Sequence, residues 1–214
     1  MKSYIIILYA LILVYSCNSK STTEQVSKPV SIENQQENLE EIPSEDTENA
    51  DISQIQKKYN QIQQQIQQNK IQPEITEFTC QTKDGHGVLH RFIQNNQVIK
   101  ISFTEGIGHS YTTEEFFFDQ DQLFFVLQSQ ESWSPSAVGG SEEDPASIST
   151  ITEKRFYVKS DTIIKKLEKT YKIHSHQENI PPDQIPNQEQ NIKPGEMYDS
   201  HKRIEALKMG KIEC

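Results

Sequence analysis

The chain is short of basic charge: in 214 residues, 21 lysines and arginines stand against 31 aspartates and glutamates, a formal net charge of −10. That deficit argues against a nucleic-acid binder, because phosphate contacts need clustered Lys and Arg. It also argues against a polybasic membrane-surface domain. Hydrophobic residues are only 34% of the chain, below the roughly 45–50% apolar norm of globular proteins. They concentrate between Phe78 and Tyr171, so only about a hundred residues can share one core. Long apolar runs are missing too. The stretch Tyr4–Tyr15 holds twelve residues without a charge; at about 1.5 Å per residue it falls short of a hydrocarbon core about 30 Å thick.

That stretch follows Lys2 and is followed by a small residue at the cut, so residues 1–16 read as a secretory signal peptide. Its last residues and the one that follows, Val14-Tyr15-Ser16-Cys17, resemble the lipobox of bacterial lipoproteins. Val14, Ser16 and Cys17 match the pattern, and Tyr15 departs from it. The resemblance implies that Cys17 gains a diacylglyceryl thioether, becomes the new N-terminus and is N-acylated, palmitate being a typical chain. Several acyl chains anchor stably, at about 0.8 kcal/mol per buried methylene. The implied location is the cell envelope, lipid-anchored to the cell membrane or outer membrane after export. Ordinary signal peptidase cleavage is the alternative, since Val14 and Ser16 also satisfy its small-residue rule.

Residues 17–50 carry many acids and few large apolar side chains, which predicts a disordered acidic linker. From Asp51 the character changes. Ile52, Ile55, Tyr59, Ile62 and Ile66 recur at spacings of 3, 4, 3 and 4, one narrow apolar stripe on a helix within residues 51–72. Pro73 is its predicted stop. The stripe suits packing on a following sheet; a short coiled coil with a second copy is the alternative. After Tyr171 the chain turns polar again, and residues 174–214 read as an extended, loosely held tail. A last short helix fits between Met197 and Met209, with Ile204 and Leu207 as anchors and Gly210 as stop.

Between them, residues 73–173 show an internal similarity. Arg91–Ile93, Gln94–Gln97 and Val98–Ile101 form one unit. Phe116–Phe118, Asp119–Gln122 and Leu123–Val126 form a second, and Tyr157–Val158, Lys159–Thr162 and Ile163–Ile164 a third. Each is an aromatic or β-branched run, a four-residue polar turn and a second such run, the pattern of a β-hairpin. Asn95-Asn96, Gln120-Asp121 and Ser160-Asp161 stand at the tips, without a glycine to mark a type I′ turn. With an entry strand near residues 77–82, these units predict an antiparallel meander of about seven strands. Alternation puts Ile99, Ile101 and Phe103 on one side and Val98, Lys100 and Ser102 on a solvated side. The middle hairpin has no polar face, so its strands should be central and covered twice.

Candidate chemistry is sparse. His86, His90 and His109 are the candidate metal ligands of an alternative reading, a metal-dependent periplasmic enzyme. His86 and His90 on one strand would lie about 13 Å apart, too far for one ion. Glu114 and Glu115 point to opposite faces and cannot share a substrate. The serines around Trp133 lack the strand-turn-helix setting of a nucleophile elbow. No cofactor is implied. The segment Ser129–Ser149 reads as a loop of about twenty residues, unusually long for a compact domain. It carries Trp133 with Glu142, Glu143 and Asp144, a set suited to an envelope protein, peptide or glycan. Once Cys17 is lipidated, Cys80 and Cys214 remain; they can pair in an exported protein, with free thiols or an intermolecular bond as alternatives. The expectation is an α+β protein, a helix on an antiparallel meander, monomeric, non-catalytic and anchored through Cys17.

Overall fold

Three two-residue turns set the register of the sheet. In the computed structural model, residues 45–80, 85–198 and 200–212 are described, with side chains from Glu48 onward. The signal segment, Cys17, the linker up to residue 44 and Cys214 lie outside the described residues. At each tip both central residues adopt positive φ: Asn95 and Asn96 (51° and 61°), Gln120 and Asp121 (49° and 70°), Ser160 and Asp161 (48° and 64°). That is the backbone of a type I′ turn, whose twist matches the flanking strands. Asn and Asp tolerate it through local side-chain hydrogen bonding; Gln120 and Ser160 adopt it under the constraint of the hairpin.

The three hairpins also share an irregularity. The register shifts between Phe92 and Ile93, between Phe117 and Phe118, and between Tyr157 and Val158. On the return strands Ile99, Phe124 and Ile164 are thereby the extra residues, each two positions after the turn closes. Such a bulge bends the strand and resets which face the next side chain meets. The internal similarity of the sequence is thus a repeat of backbone geometry as well as of residue type.

Eight strands result, antiparallel and in unbroken sequence order: β1 (Pro73–Cys80), β2 (Gly85–Gln94), β3 (Gln97–Ile107), β4 (Ser110–Asp119), β5 (Gln122–Gly140), β6 (Pro145–Lys159), β7 (Thr162–His174) and β8 (Gln188–Glu189). The first helix, α1 (Glu45–Gln67), starts six residues before the apolar stripe suggested, so the linker is shorter than residues 17–50. It ends at Gln67, well before Pro73. Asn69 takes φ 55°, while Lys70 N–H donates to the Gln65 carbonyl (3.0 Å) and Asn69 N–H to that of Ile66 (2.9 Å). This pair of bonds is a Schellman motif with asparagine in the left-handed position.

Helix α1 lies on the sheet. Ile55 packs with Phe117, Phe124, Phe125 and Tyr157, joined by Ile52, Tyr59 and Ile62 from the same stripe. Its polar residues tie it to the hairpins in turn: Asp51 accepts from Lys159 (2.6 Å), Lys58 donates to Asp119 (2.5 Å), and Gln63 accepts from Lys100 (3.3 Å). The helix therefore crosses the tip end of the sheet from the third hairpin to the first.

The opposite face holds the larger cluster, with Leu89, Ile101, Phe103, Phe116, Phe118, Val126 and Phe156. Its cover is the C-terminal segment, which the sequence suggested to be a loose appendage. Instead Tyr198, Ile204 and Leu207 are buried in that cluster. The last two come from helix α2 (His201–Lys208), which ends in a second Schellman motif at Gly210 (φ 72°). The middle strands are accordingly covered twice, and Phe116 to Phe118 and Leu123 to Val126 are all buried.

One assignment of sides is corrected. The bulge at Ile99 sends Val98 to the same cluster as Ile101 and Phe103. Lys100 does not face solvent. It is 5% exposed beneath α1, paired with Glu115 at 2.7 Å and placed over the rings of Phe92 and Phe117. Among the described residues no helix is long and apolar enough to cross a membrane.

Candidate functional site

Two-residue periodicity carries the α1 face of the sheet beyond the helix itself. From Phe117, every second residue of β4 leads through Glu115 and Thr113 to Tyr111. From Phe125, β5 leads through Leu127, Ser129 and Glu131 to Trp133. This far end of the face carries rings and hydrogen-bonding groups.

Trp133 does not lie on a loop. The segment Ser129–Ser149 is mostly strand: β5 runs to Gly140, β6 begins at Pro145, and Trp133 pairs with Ser149 in the ladder. Alternation in this stretch is carried by Ser, Thr, Gln and Glu, which is why it lacks an apolar strand signature. Trp133 N–H donates to the His109 carbonyl (3.0 Å), and the two rings stack at 4.0 Å between centroids and 25° between planes. His109 stands exposed in the β3–β4 turn. Beside them Tyr111 meets His86 edge-on at 6.2 Å. Tyr111 also lies over Gly106, where an added Cβ would come within 2.5 Å of the ring. Glycine at that strand position is what admits the ring.

The acids expected to act with Trp133 are elsewhere. Glu142, Glu143 and Asp144 sit in the turn between Gly140 and Pro145, and Pro145, where β6 begins, is already four residues or about 13 Å from Trp133's partner Ser149. The turn is internally closed: Ser141 N–H donates to the Asp144 carbonyl (2.9 Å) and Asp144 N–H to Ser141 Oγ (3.1 Å). Asp144 further lies 3.5 Å from His176. The histidines proposed as ligands do not gather either. His86 faces Tyr111, His90 pairs across the ladder with Ile75 and Ser102, and His109 stacks on Trp133. Among the described residues no group of three His, Cys, Asp or Glu is placed to hold a metal ion.

The buried and half-buried charges near this face are held by one another. Glu153 accepts from Arg155 (2.9 Å) and from the Tyr171 hydroxyl (2.7 Å), and lies 3.5 Å from Lys169. Lys169 also donates to the Pro182 carbonyl (2.5 Å). Burial, with the hydrogen bond to Glu153, pushes the Tyr171 hydroxyl well above the ordinary tyrosine range. On the other face Glu114 pairs with Arg203 of α2 and accepts from Gln128 (3.3 Å). A satisfied network of this kind fixes strands and helices.

Cys80 is buried and disulfide-bonded. No family model matches the chain, and no curated protein or solved structure matches it.

Proposed function

We propose that this chain is a lipid-anchored accessory protein of the cell envelope that binds a partner and does not catalyse a reaction. The anchor is Cys17, on the resemblance of Val14-Tyr15-Ser16-Cys17 to a lipobox. The partner site is the ring-bearing end of the sheet: Trp133 with His109, and Tyr111 with His86. The observation that supports binding there is that α1 covers only the tip half of its face. The far half presents aromatic surface and hydrogen-bonding groups on rigid paired strands. Rings held in that way supply binding area at little entropic cost, as suits recognition of a peptide, glycan or envelope protein. The case against turnover is that Lys100, Glu114 and Lys169, the buried charged residues among those described, are all engaged with other protein groups.

The test uses membranes from cells making the full chain. Cys17→Ser should move the protein to the soluble fraction and remove acyl mass from the mature form. Crosslinking in intact envelope should capture the same partner with wild type and lose it with Trp133→Ala, which leaves the melting transition in place. Membrane association that survives Cys17→Ser without acyl chains on wild type defeats the anchor. Capture that survives Trp133→Ala together with Tyr111→Ala defeats the site.

A further inference from the structure

A second surface departs from the acidic character of the whole. Between α2 and strand β3 lies a cleft of about 800 Å³, within the size range of small-molecule sites, about 300–1,000 Å³. Its floor is apolar, formed by Phe103, Leu207 and Ile212. Among the described residues its rim is cationic: Lys202, Arg203 and Lys211 line it against one acid, Glu105. In a chain of net charge −10 that is a local reversal of sign, and clefts of one sign on low-dielectric walls concentrate counter-ions of the other.

The three cations differ in what they already do. Arg203 is committed, paired with Glu114 while its guanidinium lies 4.9 Å from the Phe103 ring centroid. It walls the cleft. Lys202 and Lys211 are exposed and have no acidic partner among the described residues. Lys208, on the same helix, is by contrast fixed by Asp121 (2.7 Å) and Glu205 (2.9 Å). Two ammonium groups without an acidic partner among the described residues, set over an apolar floor, match a ligand that is anionic at one end and apolar at the other.

From this we infer that the cleft between α2 and β3 binds a single-chain anionic amphiphile, its carboxylate or phosphate head at Lys202 and Lys211 and its chain over Phe103, Leu207 and Ile212. The inference stands apart from the ring-bearing site and from the anchor at Cys17.

The experiment is calorimetric titration of the full chain with dodecanoate and with dodecyl phosphate, both below micelle formation. Dodecyltrimethylammonium and inorganic phosphate serve as comparisons. The expected result is one site per chain for at least one of the two anionic amphiphiles, with little heat from the cationic one or from phosphate alone. Which head binds better assigns carboxylate or phosphate. Lys202→Gln with Lys211→Gln should weaken binding about tenfold for each charge-assisted hydrogen bond removed, and added salt should weaken it in wild type but less in the double variant. Ala206→Phe narrows the cleft from the helix side and should abolish binding; the two lysines are exposed, so their variant tests the site even where Ala206→Phe fails to fold. No binding of either anionic amphiphile overturns the inference. So does equal binding of the cationic one, binding of phosphate alone with like affinity, or binding that survives replacement of both lysines.

Discussion

Leu207→Ala tests whether the C-terminal helix is part of the core. Leu207 is 3% exposed and packs in the cluster that includes Phe116, Phe118 and Val126. Truncating a buried leucine costs about 2–5 kcal/mol, the spread depending on how far the surroundings collapse into the space. Collapse is restricted here. Arg203 is held by Glu114, Lys208 by Asp121 at 2.7 Å, and the Lys208 carbonyl accepts from Arg91 at 2.7 Å. Clamped on both sides, α2 cannot move inward, so the loss should fall in the upper half of that range, about 3.5–5 kcal/mol. Met209, two residues on and 60% exposed, is the control, with an effect of about 0.5 kcal/mol or less on alanine substitution. Equilibrium unfolding in urea, followed by Trp133 fluorescence and far-ultraviolet circular dichroism, reads both, with the denaturant slope checked for constancy. A loss below about 1 kcal/mol for Leu207→Ala, or no difference from Met209→Ala, would refute the reasoning and return the segment to a loose appendage.

Phe124→Ala and Phe125→Ala should each cost about 3–5 kcal/mol by urea unfolding, because the bulge at Phe124 places both rings in the cluster under α1. Tyr198 should ionise above the ordinary tyrosine range near pH 10, held neutral by burial and by the Glu114 charge. Its folded value lies above its unfolded one, so the stability it adds is full below about pH 10 and is lost as pH rises towards the folded value. Absorbance titration at alkaline pH should show the late ionisation, and Tyr198→Phe should flatten the alkaline loss. For the disulfide on Cys80 the expected partner is Cys214, since Ile212 and Phe78 pack on the same cluster. Cys80→Ser and Cys214→Ser should then each lower stability by about 4–5 kcal/mol on the entropic model. Cys17→Ser should leave the bridge intact on a non-reducing gel, and loss of the bridge in that variant would show a different pairing.

Much of the fold was legible because its signals are local. The 3-and-4 spacing from Ile52 to Ile66 marked the stripe that meets Phe117 and Phe125, and three polar tips marked three hairpins. The all-apolar Phe116–Val126 hairpin could only be a centre covered on both faces. The bulges were not legible, because Ile99, Phe124 and Ile164 look like any strand residue; only pairing reveals which position is extra, and each one switches the face of its neighbours. Strand β5 beyond Ser129 was missed because Ser, Gln and Glu carry no apolar alternation where one face is open. Its partner β6 supplies the hydrogen bonds that its own side chains do not advertise.

The same division runs through the site. Sequence alone determined that few cations are available, that the three hairpins repeat, that one helix has a single apolar stripe, and that Trp133 has no second tryptophan beside it; each is a property of composition or of near neighbours along the chain. Tertiary structure alone decided that Trp133 stacks on His109 and stands apart from Glu142, Glu143 and Asp144, and that Lys100 lies beneath α1 paired with Glu115. It also decided that Ile204 and Leu207 close the second face. Those facts depend on which strands lie side by side and at what register, and a one-residue shift of register reverses the side on which every group of a strand stands.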